Sequence, residues 1–327
     1  MEIDYDVAIR TVGNGGEKYQ MLLNAIKKLS PPPKAVYVIL PEEAQPPSEK
    51  LGYEKFVYAP KGMMTQRIAA LKYCQAEYIL FCDDDITFGE DFVKKLHRAV
   101  TELGYSFATG EILSLLPVSR GIKHLLPILH AAASPTIFHK DYYVTILRSS
   151  GWSYNRFTPK KDKVLPTQSA AGACFYVNRE AFQALRLQDE LWAQHDTLAP
   201  ADDQIMFYKA HCMGLKVCVV TDAHLEHLDA KSAVKFEQAI KNKNYWSGFN
   251  RAVFWHRFIY LREKTFWGKM ASCISFGYFV VFGHVYALAR KILKPSVGKY
   301  SPLFTRGVID GLRFTKSEEY KNLSRII

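Results

Sequence analysis

Residues 77–85 read EYILFCDDD, an apolar run from Glu77 to Cys82 closed by three consecutive aspartates, Asp83, Asp84 and Asp85. A continuous apolar stretch of that length marks a strand covered on both faces. The residues before it follow the same grammar. Asp6 to Thr11 form a short apolar strand that enters a turn rich in glycine (Gly13, Gly15, Gly16), and Tyr19 to Leu29 show helical spacing through Leu22, Leu23 and Ile26. Pro31, Pro32 and Pro33 end that helix, Ala35 to Leu40 (AVYVIL) give a second buried strand, and Met64 to Tyr73 read as a helix. Strand, helix, strand, helix, strand in this order predicts an α/β fold with a mostly parallel sheet flanked by helices. In such sheets ligands lie beyond the carboxyl ends of the strands, and the three aspartates stand there.

Working outward, a turn of small residues (Ser169 to Ala173) leads into a strand from Cys174 to Val177, and Leu215 to Thr221 (LKVCVVT) form another. Between them Gln204 to His211 read as a helix opening just after Asp202 and Asp203. Beyond about residue 240 the character changes. Asn242 to Leu261 are aromatic and basic, and Met270 to Ala289 carry no formal charge over a stretch about as long as a membrane span requires. The expected division is a catalytic domain over 1–240, with halves of about 1–110 and 111–240, and a helical, membrane-associated region over 241–327.

The 327 residues are 48% hydrophobic, enough for a large core, which excludes a disordered or fibrous chain. Forty-three Lys and Arg against 32 Asp and Glu leave a formal charge of +11. That balance suits anionic partners: nucleotide diphosphates, acidic lipid headgroups or nucleic acid. The six cysteines (Cys74, Cys82, Cys174, Cys212, Cys218, Cys273) are scattered without CxxC spacing, so they read as buried thiols of a reducing compartment. The acidic start Met1 to Asp6 enters a strand pattern at once and does not resemble a signal peptide, so a cytoplasmic location is expected.

Three adjacent carboxylates repel one another, and a hard divalent cation with oxygen ligands, Mg²⁺ or Mn²⁺, is their natural neutraliser. Such an ion also bridges to a diphosphate and stabilises the charge growing on it as it leaves. The bland reading is a solvated acidic turn. Asp202 and Asp203 offer a general base for an attacking hydroxyl or, equally, stabilise a helix N-terminus. His224 and His227 flank Glu226, but they follow a strand rather than lie on an HExxH helix, and no third zinc ligand is apparent. Arg10 and Arg67 are suited to phosphate contacts or to structural ion pairs.

Taken together these stretches resemble glycosyltransferase family 2, whose members have the GT-A fold and make bacterial surface polysaccharides and related glycans. The segment IRTVGN is similar to that family's opening nucleotide-binding segment, which implies roles for Arg10 and Thr11. In MMTQRIAALKYCQAEYILFCDDDITF, Arg67 falls where the family places an arginine, and the aspartates match its DxD motif. The resemblance implies nucleotide-sugar binding through Asp83 and Asp84, and a metal at Asp85, Asp83 and His227. AAGACFYVNREAF resembles the acceptor-side strand, and DELWAQHDTLAPADDQIMFYKAHCMG the segment ending in the catalytic acid pair. That pair is Asp202-Asp203 here, with Asp203 implied as base and Asp202 in the place of the usual glutamate. VVTDAHLEHLDAKSA is similar to the family's next strand, where His227 is the better match than His224. In NYWSGFNRAVFWHRF, Phe249 stands where relatives carry arginine, while Asn250 and Arg251 remain. Pro41-Glu42-Glu43 departs from the aspartate that relatives use to read the base, and RGVIDGLRF (306–314) is similar to a tail motif of bacterial members.

The expected activity is inverting transfer of a sugar from a nucleotide-diphospho-sugar to a hydroxyl of a glycan or lipid-linked acceptor, at the inner face of the cell membrane. An anionic membrane surface is an expected partner, and nucleic acid is not. Two other readings stand beside it. One is a nucleotidyltransferase acting on sugar phosphates, for which the turn TVGNGGEK lacks a strong phosphate-loop pattern. The other is a non-enzymatic basic protein that binds membranes or nucleic acid, against which the clustered acids at 83–85 argue.

Overall fold

The computed structural model describes residues 3–112, 122–131, 141–155, 163–195, 199–228, 237–293 and 295–326. Its elements in chain order are β1 (Tyr5–Arg10), α1 (Glu17–Lys27), β2 (Ala35–Pro41), β3 (Lys55–Ala59), α2 (Met63–Tyr73), β4 (Tyr78–Asp83), β5 (Ile86–Phe88), α3 (Phe92–Thr101), β6 (Phe107–Glu111), α4 (Ile122–Leu129), β7 (Val144–Ile146), β8 (Ser153–Asn155), β9 (Val164–Pro166), β10 (Cys174–Asn178) and α5 (Arg179–Ala184). There follow α6 (Asp202–Cys212), β11 (Val217–His227), α7 (Glu237–Phe258), α8 (Phe266–Leu293), α9 (Pro295–Gly298), α10 (Pro302–Phe314) and α11 (Glu318–Lys321). They form two units, one within 1–117, 141–143 and 157–232, the other within 118–140, 144–156 and 233–327. The second unit therefore includes two segments, 118–140 and 144–156, from the part expected to be catalytic.

The first unit is built on a sheet of nine strands in the order β3-β2-β1-β4-β10-β6-β11-β5, with β9 on β11. β3, β2, β1 and β4 run parallel, as the strand–helix alternation predicts, and β6 runs parallel to β11. β10 lies antiparallel between β4 and β6. The sheet is covered on both faces. Leu22, Leu23 and Ile26 of α1, and Phe92, Val93 and Leu96 of α3, are buried against strand residues such as Val7, Ile9 and Leu80. On β4 and β10, Phe81 and Phe175 stack with ring centroids 4.7 Å apart, and Phe207 of α6 meets Phe175 edge-on. Buried Asp6 accepts hydrogen bonds from the Gln75 and Ala76 amides at 2.8 and 3.0 Å, which fixes the turn from α2 into β4.

β11 continues past Thr221, where the apolar pattern stops, to His227. Its last three residues pair antiparallel with β5 after a bulge between Val220 and His224. Five of the six cysteines are buried, but Cys273 on α8 is exposed, which corrects the expectation of six interior thiols.

In the second unit α7 and α10 pack with their backbones nearly touching. A Cβ on Gly248 would come within 2.0 Å of the Phe304 carbonyl, and one on Gly307 within 2.0 Å of the Tyr245 carbonyl, so the glycine of RGVIDG serves this helix contact. Buried Arg251 donates to the Gly151 carbonyl and lies over the Trp152 ring at 4.0 Å. Burial lowers its pKa to about 9. α8 is long and apolar enough to cross a membrane.

Candidate active site

The carboxyl ends of β1 and β4 bring Arg10 and Asp83 side by side, since the two residues are register partners in the parallel pairing. Arg10 donates from Nε and Nη2 to the same oxygen of Asp83, Oδ1, at 3.1 and 2.6 Å. One residue on, the Thr11 hydroxyl donates to Asp84 Oδ2 and accepts from the Gly13 amide. Burial raises the Asp84 pKa, and the Thr11 hydrogen bond opposes the shift. Asp84 therefore ties the aspartate turn to the glycine turn after β1.

The pairing of β5 with β11 sets His227 opposite Ile86, and the Leu228 amide donates to the Asp85 carbonyl at 2.8 Å. As a result His227 Nε2 stands 3.5 Å from Asp85 Oδ1, while His227 Nδ1 is buried with no hydrogen-bond partner. His224, three residues earlier, is exposed, and the rest of its motif from residue 229 lies outside the described residues. One carboxylate oxygen and one imidazole nitrogen fit Mn²⁺ or Mg²⁺, ions that take the rest of their ligands from diphosphate and water. Asp83 does not join this pair, being turned to Arg10. Among the described residues no three His, Cys, Asp or Glu side chains form a metal cage.

The second group of acids is organised by Arg67. This side chain on α2 is buried, and its Nη1 donates to Asp202 Oδ2 at 2.6 Å and to Asp203 Oδ1 at 3.0 Å. Its Nη2 donates to the Gly172 carbonyl at 2.8 Å and lies 4.0 Å from Asp83 Oδ1. Burial works against the guanidinium charge, but Asp202, Asp203 and Asp83 outweigh it and raise the pKa. Asp202 is buried, and burial first and Asp203 second push its carboxyl up to about 6, with Arg67 and Arg10 opposing. Asp203 is different. Its side chain is 35% exposed, and it accepts from the Gly172 amide at 2.9 Å as well as from Arg67.

Four supports went unrecognised in the sequence. A Cβ on Gly172 would lie 2.0 Å from Asp203 Oδ1, so the small-residue turn before β10 is the cradle for that carboxylate. Gln194, 130 residues from its partner, accepts from the Met64 and Thr65 amides through Oε1 and caps the helix that carries Arg67. On the same helix Gln66 donates to the Thr11 and Ile39 carbonyls at 2.8 and 2.7 Å, locking α2 to the ends of β1 and β2. The fully buried pair Lys209–Glu190, at 2.7 Å, holds α6 to the turn of Leu187–Ala193. Only the SAAGA run signalled any of this in advance. Glu42 is exposed beyond β2, and Phe249, Asn250 and Arg251 belong to α7 of the second unit.

Residues 55–186 match the family model of Glycosyl transferase family 2. No curated protein matches the chain. Among solved structures, GalNAc-T7 with UDP, GalNAc and Mn²⁺ superposes with a TM-score of 0.52 at 12% identity, over 92% of this chain and 59% of that one. The chain thus spans well under two thirds of that enzyme's length. The mannosyltransferase PcManGT of Pyrobaculum calidifontis, with GDP-Man and Mn²⁺, gives 0.45 at 12% identity over 97% of this chain and 89% of that one. S. aureus TarS 1–349 with UDP-GlcNAc gives 0.44 at 14% identity over 98% and 92%. The architecture, a mostly parallel sheet flanked by helices with a helical C-terminal region, is that of the GT-A glycosyltransferases. Within it, residues 55–186 are the part that is similar to glycosyltransferase family 2.

Proposed function

We propose that the chain transfers a sugar from a nucleotide-diphospho-sugar to an acceptor hydroxyl with inversion at the anomeric carbon. The observation that carries this reading is the contrast between the two acids of α6. Asp202 is buried against Arg67, whereas Asp203 is held by Gly172 and Arg67 with part of its carboxylate open to solvent. A carboxylate fixed in direction but reachable from outside is what a general base needs. Asp203 takes the proton from the acceptor oxygen, that oxygen bonds to the anomeric carbon, and the bond from this carbon to the diphosphate breaks. The leaving group is a nucleoside diphosphate. A single displacement from the opposite face inverts the configuration.

Asp85 and His227 would hold a divalent metal, which when bound supplies positive charge to the departing diphosphate. The fold relative that was solved with UDP and Mn²⁺ is consistent with that choice. The acceptor is proposed to be a lipid-linked or surface glycan, met at the cytoplasmic face of the cell membrane. A panel of nucleotide sugars incubated with purified protein and Mn²⁺ tests the reaction, because such transferases leak donor slowly to water. Release of a nucleoside diphosphate is expected. Pyrophosphate release would move the chain to the nucleotidyltransferases, and inert donors across the panel would refute the reading.

A further inference from the structure

The second unit presents an apolar surface that the sugar chemistry does not use. Along α8 the exposed side chains run from Trp267 and Met270 through Ile274, Val281 and Val285 to Ile292, at spacings of three and four or their sums, so they lie on one face. Ile274 and Val281 are each 65% exposed, and Trp267 is 70% exposed. No charged residue interrupts that face between Met270 and Ala289. A second helix, distant in sequence, extends it. Leu125, Leu126 and Leu129 of α4 are exposed, and the Tyr278 hydroxyl of α8 donates to the Leu129 carbonyl, which joins the two helices edge to edge. A contiguous patch of this kind marks an interaction surface.

We propose that α8 and α4 together lie in the plane of an anionic lipid surface, with the apolar stripe among the acyl chains and cations at its ends on the headgroups. Charge selects this occupant. The second unit holds 22 of the chain's 43 Lys and Arg but only 5 of its 32 Asp and Glu. Lys264 and Lys269 lie near the start of the stripe, and Arg290 and Lys291 near its end, so both ends carry the groups that anionic headgroups attract. Phe266 and Trp267 at its start are aromatic residues of the type that settles at the lipid–water boundary.

The opposite face of α8 sets the helix parallel to the surface rather than through it. Phe276 stacks on Trp255 of α7 at 4.2 Å, Phe279 meets Phe304 of α10 edge-on, and His284 Nδ1 lies 3.0 Å from the Thr305 hydroxyl. These contacts hold the middle of α8, from Phe276 to His284, against α7 and α10, and those helices carry Arg251, Arg257, Asp310 and Arg313. A crossing would draw those charges to bilayer depth, where they are strongly disfavoured.

This inference rests on the membrane location and is independent of the transfer reaction. Its test is flotation of the full chain with vesicles of phosphatidylcholine alone or mixed with phosphatidylglycerol. Binding to the mixed vesicles, weakened by salt, is expected. Ile274→Asp, Val281→Asp and Leu126→Asp should each lower it at least about tenfold with unchanged circular dichroism, since all three sites are exposed. Donor hydrolysis stays at the unmodified level, so failure of the membrane surface and failure of the transfer reading are told apart. Nitroxides placed singly at 274, 281 and 288 in Cys273→Ser protein should report one shallow depth. Three outcomes overturn the proposal: substitutions that leave binding intact, a depth maximum at 281 that marks a crossing, or a dimer that ignores vesicles and is dissociated by Val281→Asp.

Discussion

Gly172→Ala is a one-carbon change at a residue with no chemistry of its own. The added Cβ would sit 2.0 Å from Asp203 Oδ1, 2.4 Å from its Cγ and 3.0 Å from Arg67 Nη2. Since carbon does not approach within 3.0 Å of such atoms, the carboxylate must retreat by about 1 Å. Retreat also stretches the 2.9 Å hydrogen bond from the Gly172 amide. A misplacement of about 1 Å at a reacting group lowers turnover roughly 10²-fold. The lost charge-assisted hydrogen bond destabilises the fold by about 1.5–3 kcal/mol. Nucleoside diphosphate release from the identified donor, with and without acceptor, measures kcat, and calorimetric titration measures donor affinity. The expected result is a fall in kcat with donor affinity unchanged. In an Asp203→Ala background the same glycine substitution should do nothing further to kcat, because the group it displaces is already gone. Unaltered turnover in Gly172→Ala would refute the assignment of Asp203 as base, as would a loss of equal size in both backgrounds.

Arg67→Met leaves Asp202 buried without its cation, and urea unfolding should show a loss of about 3–5 kcal/mol, with Arg67→Lys recovering only part because one ammonium cannot span two carboxylates and a carbonyl. Between its ordinary value of 3.8 and the raised value of about 6, Asp202 holds a proton in the folded protein that the unfolded chain has released. Its contribution to stability is therefore complete below the ordinary value of 3.8 and falls as pH rises to about 6, and Asp202→Asn should flatten the stability curve across that window. Asp85→Ala and His227→Ala should each abolish the Mn²⁺ dependence of donor binding in calorimetry while leaving Asp203 in place, and full turnover in excess EDTA would contradict the pairing of those two residues.

Apolar runs are the most legible feature of a chain, so β1, β2, β4 and the helices between them were readable to within two residues, and the aspartates at the end of β4 followed from the sheet rule. β3 (KFVYA) and β6 (FATGE) escaped notice because they are short and mix polar with apolar residues. The antiparallel insertion of β10 has no local signal, since strand direction depends on the connection rather than on the residues in it. The site was legible as a list of acids, with Asp203 singled out only through the family resemblance, and the surroundings of the two acids of α6 were not legible. Whether Asp202 or Asp203 faces solvent depends on where Arg67 and Gly172 arrive, and both come from elements far away in sequence. Gln194 illustrates the limit: a glutamine in a loop gives no hint that it caps a helix 130 residues before it.

At this sheet edge both arginines are engaged by carboxylates. Arg10 is engaged by Asp83 through two hydrogen bonds, and Arg67 by Asp202, Asp203 and the Gly172 carbonyl. Each guanidinium thus offsets carboxylates that would otherwise repel one another, and the fold gains a rigid acid pair from the exchange. An incoming diphosphate adds further negative charge to a region where these cations are already paired. Asp85 lies beside His227, whose Nδ1 has no hydrogen-bond partner. The segregation is built by strand pairing: β1 with β4 delivers Asp83 to Arg10, and β5 with β11 delivers Asp85 to His227. Three consecutive aspartates therefore face three different neighbours, Arg10, Thr11 and His227, and the one beside the imidazole is the one we propose for a hard cation.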